Sequence, residues 1–421
     1  MNRWLQNQAK KLFFSSLREI NGGFLELVCP EQTYTFGDPK AALRAMAVIH
    51  DERFFLCAIT GADIGIGESY MNGDWTSPDL VALVRLVVRN LRLFDSRHKT
   101  FSALRGIFSR LAHRFRANTV KGSRKNISAH YDLGNEFYRL FLDPEMLYSC
   151  AYFQRSEDSL EIAQLQKLDL ICRKLQIQPG ERILEIGCGW GAFAIYAARN
   201  YGARVTAVTI SCAQYEFAAK RLAESDLGDG SVFLVLEDYR NLSGQFDKIV
   251  SIEMFEAVGF DHYDEYFGAC NRLLAPDGTM LLQTITLPEQ EVSAYRQRVD
   301  WMQTYIFPGS ELASIAEIGK SLARSTQISL AHLECLGLHY AETLAIWRER
   351  FFEKEGDVRR LGFDDRFHRM WDFYLAWSEG AFQERYVNVA QLLLAKNGMQ
   401  RPLLGDPMHS YIAQTSRSVT A

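Results

Sequence analysis

The sequence lacks any pair of cysteines spaced for a metal or redox centre. Its eight cysteines (Cys29, Cys57, Cys150, Cys172, Cys188, Cys212, Cys270 and Cys335) are scattered through apolar segments with no Cys-x-x-Cys pair. That excludes a disulfide framework and a zinc knuckle and suits a reducing cytoplasm. The nine histidines show no ligand spacing, so no metal site is expected. No stretch approaches the roughly 20 consecutive apolar residues of a membrane-spanning helix. At the N-terminus Trp4, Leu5, Leu12, Phe13, Phe14 and Leu17 are interrupted by Lys10, Lys11 and Arg18, which suits a short amphipathic helix and not a signal peptide. Excess charge of one sign is also absent. With Lys+Arg 47 against Asp+Glu 51, an anionic partner must meet a local patch. Internal repeats and low-complexity tracts are missing. What is present, 421 residues of which 48% are hydrophobic, exceeds one hydrophobic core and implies a main domain with a smaller partner.

From Gly22 to Asn90 short mixed segments predict a small α+β domain: an alternating run Phe24 to Val28, a strand at Arg53 to Ile59, and a glycine-rich turn through Gly61, Gly65 and Gly67. Pro78 opens a helix bearing Leu80, Leu83, Val84 and Val87. Between Ser96 and Asn126 every charged residue is basic, and Phe101, Leu104, Phe108, Leu111 and Phe115 share one helical face. Such a segment can lie on an anionic bilayer, dock between domains, or bind RNA. From Leu165 helices and strands alternate, predicting a doubly wound α/β sheet, with mostly helical chain beyond Leu287. The expected division is an N-terminal domain over 1–95, a basic linker over 96–126, a catalytic domain over 127–400 and a tail over 401–421.

The strand Ile183 to Ile186 runs into Gly187-Cys-Gly-Trp-Gly191 and a helix. Glycines there let backbone N–H groups approach a ligand at a helix N-terminus. The glycines alone also satisfy a dinucleotide pattern. Glu185, two residues before the first glycine, makes Glu-x-Gly-x-Gly-x-Gly, which resembles motif one of the S-adenosylmethionine methyltransferases. About twenty residues on, where a dehydrogenase needs an acid, the run Val205 to Ile210 has none. Asp238-Tyr239, after the third strand, offers a carboxylate for an adenine amine and a ring to stack on it. No Asp-Pro-Pro-Tyr-like tetrapeptide follows the fourth strand, which disfavours nucleobase methylation.

The runs His130 to Tyr138, Leu147-Tyr-Ser-Cys-Ala-Tyr-Phe153, Ser251-Ile-Glu-Met-Phe-Glu-Ala-Val-Gly259, Tyr305-Ile-Phe-Pro-Gly309 and Trp347-x-Glu-Arg-Phe351 resemble the cyclopropane-fatty-acyl-phospholipid synthase family. The likeness reaches the N-terminal domain through Gly67 to Trp75. It implies a Rossmann-like fold with helical cap insertions and methyl transfer from S-adenosylmethionine to a cis double bond of a phospholipid acyl chain. It assigns the cofactor to Tyr131, Glu185, Gly187, Gly189, Gly191, Thr209, Gln214, Asp238 and Tyr239. It also implies a bicarbonate ion as base, held by Cys150, Glu256, Ile285 and Tyr340, with no metal. The implied partners are unsaturated phospholipids at the inner membrane surface of the cytoplasm, with no nucleic acid; a homodimer is allowed.

The fifth anion-holding position of the family, usually histidine, is Gln283 here. An amide donates hydrogen bonds but cannot relay a proton, so the departure allows a methyl- or methylene-branched product as the alternative to a ring. Taken without the family, Cys150 reads as an inert buried thiol, Tyr340 as a core phenol, and Glu253 and Glu256 as loop or first-turn decoration. Other readings are a small-molecule N-methyltransferase and an RNA- or partner-binding module.

Overall fold

The computed structural model describes residues 3–91 and 133–399. The basic segment 96–126, Tyr131 and the tail 401–421 lie outside the described residues.

The N-terminal domain packs the helices Arg3–Leu17, Arg53–Met71 and Leu80–Arg89 with strands β1 (Phe24–Val28), β2 (Thr33–Gly37), β3 (Arg44–Ile49) and β4 (Trp75–Thr76), in sheet order β2-β1-β3-β4. Phe13, Phe54, Phe55 and Trp75 form its aromatic centre. Asp79, not Pro78, caps the third helix by accepting from the Ala82 N–H.

The segment expected as a strand and glycine turn is instead the single helical run Arg53–Met71, kinked at Ala62. Its glycines serve close packing. A Cβ on Gly65 would come within 2.1 Å of the Cys57 carbonyl oxygen, and one on Gly67 within 2.3 Å of the Trp301 indole.

The larger sheet runs β10-β11-β9-β8-β5-β6-β7. Its members are β5 (Arg182–Ile186), β6 (Arg204–Thr209), β7 (Ser231–Leu236), β8 (Phe246–Ile252), β9 (Leu274–Thr286), β10 (Ile328–Cys335) and β11 (Asn388–Lys396). β5 to β9 are parallel; β11 runs antiparallel to both neighbours. β10 and β11 form within the stretch expected to be mostly helical. Strand order reverses at β5, where β6 lies on one side and β8 on the other, so the crevice beyond the carboxyl ends of β5 and β8 is the topological place for a ligand. This is the doubly wound α/β fold with a smaller α+β domain expected from the pattern.

The helix Leu160–Leu175, capped by Ser159, packs on this sheet. Lys167 and Lys174 lie two turns apart on its buried face. Neither can remain there without partners.

Candidate active site

The loop after β5 turns through Gly187, Gly189 and Gly191, all at positive φ (81°, 52° and 86°). At Gly187 a Cβ would also sit 2.5 Å from the Met254 side chain, so no larger residue fits. Trp190 donates through Nε1 to Asn135 (2.8 Å), tying the loop to the start of the same domain, well before β5 in the chain. Glu185 is buried at the end of β5, takes the Ala194 N–H, and keeps Oε2 without a partner among the described residues. Burial pushes its carboxyl up to about 8.

Thr209 and Gln214 meet through a 3.0 Å hydrogen bond at the end of β6. Asp238 is held by Arg240 (2.8 Å) beyond β7, and Tyr239 sets its ring edge-on to Tyr266. Glu185, the three loop positions 187–189, Thr209, Gln214, Asp238 and Tyr239 all line one cavity, and Gly191 turns the chain into the following helix. A bare loop, an orphaned carboxylate oxygen and a second acid at the edge fit a cationic nucleoside such as S-adenosylmethionine. The resemblance adds Tyr131 to this set, and Tyr131 is outside the described residues.

The same cavity continues to Glu253, Glu256, Ile285 and Tyr340, with Tyr148 and Phe307 in its wall. Here the carboxylates arrange the donors. Glu253 Oε1 accepts the Cys150 N–H (2.8 Å) and Gln283 Nε2–H (2.7 Å), and the Tyr340 hydroxyl hydrogen-bonds the same carboxylate. Glu256 Oε1 accepts the Ile285 N–H (2.6 Å) and the Thr284 hydroxyl (3.0 Å), leaving Oε2 buried without a partner among the described residues. Cys150 and Gln283 are fully buried and do not line the cavity; Glu253 stands in front of them. Of the groups that the resemblance assigns to bicarbonate, the donors at Cys150, Ile285 and Tyr340 are already engaged by Glu253 and Glu256, and they do not fit a separate anion.

Glu253 is the functional residue that the sequence reading passed over as decoration. Its backbone adopts φ 48°, a conformation costing a non-glycine residue about 1 kcal/mol. Burial raises its proton affinity, opposed by Lys167 and the three donors. Burial, and then the charge of Glu253, brings the Glu256 carboxyl to about 7. Two carboxyls so close share one charge between them more readily than they carry two. The Cys150 thiol is pushed up by burial and contributes its backbone, not a thiolate.

Aromatic rings back this end of the cavity. The Tyr148 ring lies 5.2 Å from that of Trp347, and its hydroxyl meets Tyr374 at 2.9 Å. Ring faces of this kind stabilise positive charge in a dry site.

The chain matches the family described as mycolic acid cyclopropane synthetase over residues 118–392. It is 38% identical over 342 residues to tuberculostearic acid methyltransferase UfaA1 of Mycobacterium tuberculosis, covering 80% of this chain and 79% of that one. It is 38% identical over 351 residues to the cyclopropane-fatty-acyl-phospholipid synthase of Escherichia coli, covering 82% and 87%. Among solved structures, the Mycobacterium tuberculosis cyclopropane synthase MmaA2 superposes with TM-score 0.60 at 34% identity, over 65% of this chain and 98% of that one. The mycolic acid cyclopropane synthase CmaA1 complexed with SAH and CTAB gives the same score, identity and coverage. With its glycine loop, its acids at the sheet edge and these matches, the chain belongs to the mycolic acid cyclopropane synthetase family and is an S-adenosylmethionine-dependent lipid-modifying methyltransferase.

Proposed function

We propose that the substrate is a cis double bond in an acyl chain of a membrane phospholipid, and that the product is a cyclopropane ring. One observation carries this reading: a single cavity joins the cofactor loop to an apolar, aromatic pocket walled by the carboxyls of Glu253 and Glu256. S-adenosylmethionine, when bound, supplies an electrophilic methyl group. The chain supplies the remainder. Glu185 and Asp238 orient the donor; Ile285, Phe307 and Tyr148 exclude water and keep a flexible acyl chain in line. The ring faces and the Glu253–Glu256 pair lie where a carbocation develops.

A second reading, a methyl- or methylene-branched chain, is favoured by Gln283 and by the likeness to a tuberculostearic acid methyltransferase. The phospholipid would be met at the inner membrane surface by a peripheral protein of the cytoplasm. Among the described residues no helix is long and apolar enough to cross a membrane. The test is mass spectrometry of lipids after incubation with S-adenosylmethionine and vesicles of monounsaturated phospholipid, with chemical degradation to separate ring from branch. A gain of one CH₂ in a ring supports the first reading and a branched chain the second. Consumption of the donor by soluble amines, with lipids unchanged, overturns both.

A further inference from the structure

We infer that Glu253 is the proton acceptor of the reaction, built into the chain in place of a captured anion, and that Lys174 is a positioning residue that fixes the donor facing it. The inference rests on the reading of function above.

The argument begins with strand register. Glu334 on β10 pairs with Gln391 on β11, and Gln391 pairs with Gln283 on β9, so three polar residues form one row across an otherwise apolar sheet. Lys174 descends onto the row from the helix above, paired with Glu334 and donating to Gln391 Oε1 at 2.7 Å. An ammonium only donates. It therefore requires Gln391 to present oxygen to it and nitrogen to Gln283. Gln391 Nε2 donates to Gln283 Oε1 at 2.9 Å, and this turns Gln283 Nε2 onto Glu253 at 2.7 Å. A buried cation some distance from the cavity thus dictates that Glu253 meets an N–H and not a carbonyl.

With the Cys150 N–H and the Tyr340 hydroxyl completing the set, one carboxylate holds three donors and lines the cavity. Glu256 differs, because its bonded oxygen is committed to Ile285 and Thr284 at the end of β9. The charged and titratable groups facing Glu253 are Lys167 from the helix Leu160–Leu175, Glu256 from its own loop, Tyr340 from the helix Gly337–Glu353, and the Cys150 thiol.

The step balances without a further reactant. Once the alkene has taken the methyl group, the acyl chain is a cation. A C–H bond breaks, its proton forms an O–H bond on Glu253, and its electron pair stays on the chain as a ring C–C bond or a C=C bond. The proton passes to water when the product leaves. No oxidant or reductant is needed.

The test uses the full chain with vesicles and measures modified lipid. Wild-type turnover is expected to be the same in carbon-dioxide-free buffer and in added bicarbonate, and Glu253→Gln to lose about 10²- to 10⁴-fold with donor affinity held within a few-fold. Glu253→Gly frees the three donors, and its turnover is expected to recover in part with bicarbonate or formate. Glu256→Gln is expected to lower turnover, by less than Glu253→Gln, and to move the acid limb of the rate profile to lower pH, as a like charge is removed. Lys174→Met lets Gln283 turn its oxygen toward Glu253, which disfavours the carboxylate. The acid limb then moves to higher pH, and Lys174→Arg restores it.

Wild-type activity that disappears without bicarbonate, or undiminished turnover in Glu253→Gln, overturns the role of Glu253. A Lys174→Met protein that melts earlier with an unmoved pH profile overturns the role of Lys174. Wild-type protein that binds donor but modifies no lipid overturns the reading of function, and this inference with it.

Discussion

Glu185 shows how one buried carboxyl couples cofactor binding to protons. Its side chain is buried, lacks a partner for Oε2 among the described residues, and is pushed by that burial up to about 8. Between the ordinary carboxyl range and that value the folded chain holds a proton that the unfolded chain has released. Without cofactor, then, this group lowers stability progressively as pH rises from about 5 to 8. A cationic donor beside it favours the ionised form, so binding below pH 8 releases a proton and affinity strengthens with pH. Calorimetry in two buffers of different ionisation enthalpy should report that proton. Glu185→Gln should abolish its release and weaken binding roughly 30-fold, the worth of about 2 kcal/mol for a hydrogen bond to a charged group. A binding heat independent of buffer in the wild type would exclude the coupling. Glu185 was legible because its spacing from Gly187 is a local pattern. Glu253 was not, because its meaning depends on Cys150, Gln283 and Tyr340, which lie far from it in the chain. The available signal was its place directly after the buried run Phe246–Ile252, where an acid stands at the carboxyl edge of the sheet.

At the scale of elements, the glycine loop and the alternation from β5 to β9 are written in local periodicity, and those strands fell where the pattern put them. β10 and β11 are different. β10 is an edge strand with mostly exposed residues, and β11 reads Asn388-Val-Ala-Gln-Leu-Leu-Leu-Ala-Lys396, a run that suits a helix as well as a buried strand. Pairing with β9 decides between them, and pairing is not local. The helix Arg53–Met71 was hidden for a related reason. Three glycines suggest a turn, yet two of them are required by close approaches, Gly65 by the Cys57 carbonyl of the same kinked run and Gly67 by the Trp301 indole. Its kink carries a cost: Ala62 sits at φ 48°, ψ −131°, a region natural only to glycine. Ala62→Gly should therefore stabilise the protein by about 1 kcal/mol, and Ala62→Val should destabilise it by more. Denaturant midpoints of the two variants, moving in opposite directions from the wild type, are the expected result; a loss of stability in both would mean that the Ala62 methyl is needed for packing.

For the whole molecule, the N-terminal domain is joined to the wall of the cavity. The kinked helix Arg53–Met71 places Asp63 to accept the Trp301 N–H at 3.1 Å, Gly67 against the Trp301 indole, and Glu68 to accept the Tyr305 hydroxyl at 2.7 Å. One residue after Ile306 the chain enters Phe307 to Ser310, which lines the cavity, and Phe307 packs edge-on to Tyr374 at 5.5 Å. A second tie runs from Tyr70 to Asp372, itself paired with Arg348. The end of the cavity at Phe307, where the proposed function places the acyl chain, therefore borrows its shape from a domain outside the cofactor loop. Gly67→Val separates the two ends. The added side chain must displace the Trp301 ring, which is buried on its other side against Phe373, and overpacking of this kind costs about 1–3 kcal/mol. The displaced helix Trp301–Tyr305 shifts Phe307, while β5, β6 and the glycine loop are untouched. The expected result is a several-fold rise in KM for vesicles with the affinity for S-adenosylmethionine unchanged, measured at a temperature where the variant is fully folded. A lower melting temperature with unchanged KM would make the contact a matter of packing alone, and a parallel loss of cofactor affinity would show that the two ends of the cavity are not separable.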